Sequence, residues 1–229
     1  MALSNFGELK ASVATLLNRS DLTAAIPDFI AMLEAQVNRD VRFRNRRQET
    51  SASLTFTSGS ATLPTDFIEA RTVVFQSDPR VRLEYMSPSV FENAHRSNTA
   101  GSPVNYTIVG DTLKLGPRPD TTTAALLSYY QRLPALSADS DTNWLLTYHP
   151  DVYLYGAALH SAPYLGEDSR LQTWVGLMDN ASLQVAGDDT RARWNGAPVR
   201  PQLSVTVVGF RIPPPIQIGN FGAIRFRRF

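Results

Sequence analysis

Apolar residues recur at helical spacing at both ends of the first 195 residues and at every second position between them. Near the start, Phe6, Leu9, Val13, Leu16 and Leu17 share one helical face, and Asn5 with Glu8 has the spacing of a capping box. This helix is expected to stop near Asn18–Ser20. Pro27 suits the opening of a second helix, in which Phe29, Ile30, Leu33, Val37 and Val41 make one apolar stripe. Arg39, Arg42, Arg44, Arg46 and Arg47 crowd the expected end of that helix, where the macrodipole favours cations.

From about Ser51 the period becomes two. SASLTFT, SATLP, RTVVFQ, RVRLEY, VNYTIVG, TLKLG and ALLSYYQRL read as short strands running to about Leu133. Turn chemistry separates them at Ser58-Gly59, Ser77-Asp78-Pro79, Gly110-Asp111 and Pro117 to Asp120, with Gly110-Asp111 suited to a tight hairpin. Ser87 to His95 is predicted as a short helix capped by Ser87. Parallel winding is not expected, because helices do not regularly separate the strands.

Asn143 to Trp194 returns to helical spacing and reads as two antiparallel helices joined by a tight turn. Thr147 can cap the first, with Pro150 tolerated in its opening turn; Pro163 and Gly166 end it, and Asp168 can cap the second. The fold class that follows is α+β: a four-helix bundle from residues 1–47 and 143–195, with an inserted antiparallel β domain over 48–142. Residues 196–229 form an extended basic and apolar C-terminal arm. Its five prolines and four glycines break any helical period, yet Val205, Val207, Phe210, Phe221, Phe226 and Phe229 are too apolar for a solvated tail. Docking onto another chain explains such an arm.

Charge sharpens that picture. The whole chain has a net charge of +1, but residues 1–195 carry 17 basic against 21 acidic groups, while 196–229 carry five basic and none acidic. Only Lys10 and Lys114 among the basic residues are lysine; arginine forks suit interfaces and phosphate, and GC-rich coding would give the same bias. There is no cysteine, which removes disulfides, thiolate metal sites and thiol nucleophiles. The opening residues lack a secretory pattern, and no apolar run approaches the roughly 20 residues needed to cross a bilayer. An intracellular origin without membrane contact is expected, and the Asn18, Asn105 and Asn180 glycosylation tripeptides are read as chance.

Catalytic and metal chemistry finds no layout. His149 and His160 stand about 16 Å apart along a helix, too far to share a metal ion, and with His95 are read as caps or core. Asp139, Asp141 and Asn143 resemble the opening of a calcium loop, but Trp144 and Pro150 occupy the required Gly and Glu positions, so a cap or turn is expected. Glu167–Asp168 and Asp188–Asp189 are adjacent and diverge on a helix; no nucleophile elbow, P-loop or dinucleotide motif occurs. No enzyme and no cofactor is expected. The aromatics Trp144, Tyr148, Tyr153, Tyr155, Tyr164 and Trp174 have few basic neighbours and read as packing rather than base stacking. Arg42, Arg44, Arg46 and Arg47 are the candidate phosphate contacts, and a solvated helix end explains them equally well.

An ordered series of segments resembles the head-to-tail adaptors of tailed bacteriophages, of the tail tubular protein A or head-completion type. It comprises FGELKASVATLLNRSDLTAAIPDFIAMLEAQVNRDVR, LPTDFIEAR, LEYMSPSVFE, YTIVGDTLKLGPRP, SYYQRLPALSADSDTNWLLTYHPDVYLYGAALHSAPYLGED and RARW, within about residues 3–195. The resemblance implies a structural virion protein, made in the host cytoplasm, that forms a closed ring of about twelve copies below the portal. Such a ring extends the channel for double-stranded DNA, passed without sequence recognition and released on ejection, and carries the tail nozzle. Val205, Val207, Phe210, Arg211, Phe221, Arg225, Phe226, Arg227, Arg228 and Phe229 then become the portal-binding arm, with Arg42, Arg44, Arg46 and Arg47 as possible channel contacts. The competing reading is a nucleic-acid-associated module using the Arg-rich helix end and tail.

Overall fold

The computed structural model describes residues 3–97, 99–166 and 169–194. Helix α1 (Phe6–Leu17) starts where Asn5 accepts the Glu8 N–H at 2.9 Å. The return half of the capping box does not fall on Asn5: the Glu8 carboxylate takes the Ser4 N–H at 2.8 Å and its hydroxyl at 2.6 Å. Asn18, at φ 54°, closes the helix in the left-handed region that Asn tolerates. Phe6, Leu9, Val13 and Leu17 are buried, as the spacing predicts, with Leu16 at the margin.

Helix α2 (Ile26–Arg39) carries Pro27 in its first turn and buries Phe29, Ile30, Leu33 and Val37. The stripe does not continue to Val41. Asp40 is extended and its carboxylate accepts the Arg42 N–H, so the chain leaves the helix into one 3-10 turn, Val41–Phe43. That turn leaves Val41 74% exposed and buries Phe43 completely. Of the arginines expected at the helix end, only Arg39 lies in it; the others follow it.

All seven predicted strands form: β1 (Glu49–Phe56), β2 (Ser60–Thr62), β3 (Phe67–Phe75), β4 (Val81–Tyr85), β5 (Asn105–Val109), β6 (Thr112–Gly116) and β7 (Thr123–Gln131). They make one sheet in the order β1-β7-β3-β4-β5-β6-β2, whose end strands β1 and β2 are joined through the Thr57–Ser60 bridge. Gly110, at φ 58°, turns the β5–β6 hairpin, in register from Asn105–Gly116 to Val109–Thr112. The sheet is not wholly antiparallel. β4 and β5 pair in parallel at Glu84–Asn105 and Tyr85–Tyr106, because α3 (Pro88–Ala94) starts directly after β4 and replaces a hairpin with a crossover. Ser87 occupies the cap position of α3 without a side-chain capping bond.

The closing helices are more broken than the sequence suggests. Asn143, not Thr147, caps α4 (Trp144–Tyr148) by accepting the Leu146 N–H at 3.0 Å; Thr147 lies inside that helix and donates to the Asn143 carbonyl. Pro150 then opens a separate helix, α5 (Pro150–His160), since its ring cannot continue the turn before it. Pro163 opens α6 (Ala162–Leu165) rather than ending a helix, and Gly166 at φ 66° closes it. α7 (Leu171–Trp194) completes the described fold. The predicted Asp168 cap, the Glu167–Asp168 pair and the whole C-terminal arm lie outside the described residues.

Two apolar cores sit in one compact unit, Met1–Asn195. One gathers Leu9, Phe29, Leu33, Leu145, Tyr153 and Trp174, with α5 packed against α1, α2 and α7. The other gathers Phe56, Val73, Leu83, Leu113 and Leu127 from the sheet. Each such buried side chain contributes about 1.5–3 kcal/mol relative to exposure. The segment after β7 ties back to α2, with the Leu133 N–H donating to Asn38 Oδ1 at 2.8 Å and the Leu136 N–H to Glu34 Oε1 at 3.2 Å.

Candidate interaction surfaces

The 3-10 turn after α2 decides what the arginine cluster can do. Phe43 anchors the turn in the core, so Val41 and Arg42 before it are thrown outward. Arg42 folds onto Asp40 (Nε to Oδ2 2.8 Å) and reaches Asp179 on α7 at 3.5 Å. The Asp40 hydrogen bond holds the Arg42 guanidinium above its ordinary value. Burial alone would raise the Asp40 carboxyl; the Arg42 hydrogen bonds outweigh it, and the net shift is downward. Arg44 turns inward and donates to the Asn38 carbonyl at 2.6 Å.

Arg46 and Arg47 are exposed, as is Arg42, but their guanidinium groups are not bound to Asp40 or Asp179 as that of Arg42 is. The Arg46 N–H donates to Asp189 Oδ1 at 2.7 Å, and the Arg47 guanidinium lies 3.4 Å above the Tyr148 ring, a cation–π contact. With Tyr148, His149, Asp188 and Asp189 they line a shallow pocket between the turn and α7. The cluster is therefore interleaved with acids rather than uniformly basic. Arg42 and Arg44 are engaged within the chain, and Arg46 and Arg47 keep the greater capacity for phosphate.

The other chemical candidates resolve into structural roles. Asp141 accepts from the Ser137 and Ala138 N–H groups, chiefly that of Ala138, which lowers its carboxyl, and Asp139 pairs with Lys10 at 2.6 Å. His149 stands at the start of α5 with its Nε2 3.9 Å from Asp188; burial pushes its pKa down against that carboxylate. His160 Nε2 meets Gln36 Oε1 at 3.0 Å, and burial lowers it too. Among the described residues no group of three or more His, Asp or Glu side chains is placed to hold a metal ion. Tyr153 and Trp174 are core residues as expected, but Tyr148 is 54% and Tyr164 56% exposed. Arg47 covers the first, and the second rests its ring 5.1 Å from that of Phe29.

Three features escape a reading of the sequence. Glu34, on the buried side of α2, accepts the Tyr153 hydroxyl at 2.9 Å, and Asn143 Nδ2 donates to that same hydroxyl at 2.7 Å. Arg193, near the end of α7, joins Asp189 and Glu49 of β1, chiefly Asp189, and is pushed further up by them. The outward face of α7 leaves Val175, Leu177 and Leu183 exposed. Glu34 and Leu183 both carried a signal, a carboxylate beside an apolar stripe and a leucine off one. No helix of the described residues is long and apolar enough to cross a membrane. The family model described as SU10 adaptor protein matches residues 4–202. No curated protein matches the chain.

Proposed function

The chain belongs to the SU10 adaptor protein family, a family of phage adaptors, and from that premise we propose that it is a structural head-to-tail adaptor of a tailed phage virion. Copies stand side by side as a closed ring below the portal, of the tail tubular protein A or head-completion type, with about twelve members. Helices α1, α2, α5 and α7 act as the bundle that packs around the ring, and the β domain projects as the platform for the tail nozzle. Duplex DNA passes through the lumen and leaves on ejection. The observation that carries this reading is the family match over nearly every described residue.

The acid-free arm supplies the portal contact. Val205 and Val207 add a strand to a partner edge, and Phe210, Phe221, Phe226 and Phe229 fill apolar pockets. Arg211, Arg225, Arg227 and Arg228 pair with portal carboxylates. Of the four candidate arginines Arg44 is turned inward; Arg42, Arg46 and Arg47 face the channel, with Arg46 and Arg47 making weak, salt-dependent and sequence-blind phosphate contacts that let DNA slide. The acids among these arginines disfavour the alternative of a dedicated nucleic-acid-binding module.

Deleting residues 201–229 tests the arm. The truncated chain is expected to remain folded by circular dichroism and to lose portal binding in a co-sedimentation assay. Undiminished binding would refute the assignment.

A further inference from the structure

Helix α5 separates two exposed helical faces. Its Tyr153, Gly156 and His160 meet Glu34, Leu33 and Gln36 of α2, whereas its Asp151 and Tyr155 flank a groove against α7. At about 100° per residue these two sets point in roughly opposite directions, so α2 and α7 lie on opposite flanks of α5. The outward side of α2 is one narrow line of exposed residues: Asp28, Ala31, Met32, Ala35 and Arg39. The outward side of α7 carries Asp179 and, along the wall of that same groove, Leu183 at 63% exposed, half-buried Gly187 and Arg191. A Cβ on Gly187 would meet nothing within 4 Å, although a glycine inside a helix costs stability.

The charges on the two lines are complementary in one direction only. Asp28 and Arg39 stand about 16 Å apart along α2, and Asp179 and Arg191 about 18 Å apart along α7. Laid antiparallel, Asp28 comes opposite Arg191 and Arg39 opposite Asp179. The same register sets Ala31 against Gly187, two small residues where the helices must approach, and Ala35 against the exposed Leu183. Laid parallel, like charges would meet at both ends. Asp179 already lies 3.5 Å from Arg42 of its own chain, and Arg191 3.6 Å from Asp188, so Arg39 and Asp28 would each join an existing pair.

We propose that the outward face of α7 is the docking surface for the outward face of α2 of a second copy, antiparallel and in that register. Because the two surfaces differ and lie on opposite flanks, the contact is head-to-tail and repeats around a ring rather than ending at a dimer. This inference rests on the ring reading above and names the surfaces that close the ring.

The chain has no cysteine, so engineered pairs report directly. In the full-length protein carrying both Ala35→Cys and Leu183→Cys, oxidation in the presence of portal is expected to give a ladder of covalent multimers on a non-reducing gel. Neither single variant should give one. Cross-linking of either single variant would mean that like faces meet, and would overturn the proposal. A ring seen by electron microscopy without cross-linking of the double variant would leave the ring reading intact and remove these faces. No ring and no ladder would remove both. As a second arm, Asp28→Arg and Arg191→Asp should each abolish the multimer peak in light scattering and restore it when combined; failure to restore it would overturn the register.

Discussion

Tyr153 donates its hydroxyl to Glu34 Oε1 at 2.9 Å, joining α5 to α2 inside the helical core. Glu34 also accepts the Leu136 N–H, and Asn143 completes the hydroxyl's environment while capping α4. One polar network thus fixes α2, α4, α5 and the segment leaving the sheet. Tyr153→Phe keeps the ring and removes the donor, leaving a buried carboxyl short of a partner. The expected loss is about 1–3 kcal/mol in denaturant unfolding, with helix content unchanged.

Burial raises the Glu34 carboxyl above its ordinary value, against the hydrogen bonds from Tyr153 and Leu136. The sign follows from linkage: the folded state holds this proton more tightly than the unfolded state, so the contribution of Glu34 is full below the unfolded pKa and is lost as pH rises through the folded one. Glu34→Gln should therefore gain stability relative to the native chain as pH rises above about 4.5. Unfolding curves for both proteins from pH 4 to 7 check it; a difference that does not change with pH would contradict the assignment.

Gly156 lets α5 approach α2. A Cβ there would sit 2.7 Å from Leu33 Cδ2, and Leu33 is fully buried and has no room to turn away. Gly156→Ala is expected to destabilise by about 1–3 kcal/mol through overpacking, although alanine is the better helix former. Thermal unfolding would report a lower Tm.

Local patterning carried most of this fold. Phe6, Leu9, Val13 and Leu17 in α1, and the alternation that marks the seven strands, are repeated over enough positions that one exception does not mislead. The failures are places where a single side chain outcompetes a pattern. Asp40 turns the chain out of α2 and moves Val41 to solvent, Asn143 takes the cap ahead of Thr147, and Pro150 splits one expected helix into two. The parallel β4–β5 pair depends on where the chain re-enters the sheet, which periodicity does not encode. At the arginine cluster the residue types were legible, but their pairing with Asp40, Asp179 and Asp189 was not, since Asp40 reaches Arg42 only because the chain leaves α2 there and the other two acids arrive from α7.

Arg42, Arg46 and Arg47 are the cluster's exposed members, but Arg42 is paired with Asp40 and Asp179, so the channel proposal turns on Arg46 and Arg47. The Arg46→Ala/Arg47→Ala double variant should assemble on portal as the native chain does, while the assembly's affinity for duplex DNA falls and depends less steeply on salt. Filter binding at two salt concentrations measures both. Unchanged affinity would take these residues out of the channel.

Electron microscopy of the full-length chain mixed with its portal is the most direct measurement. The expected image is a closed ring of this chain seated coaxially below the portal, with an open lumen continuing the channel. Portal particles with no added density, or this chain bound at any other place on them, would contradict the adaptor account.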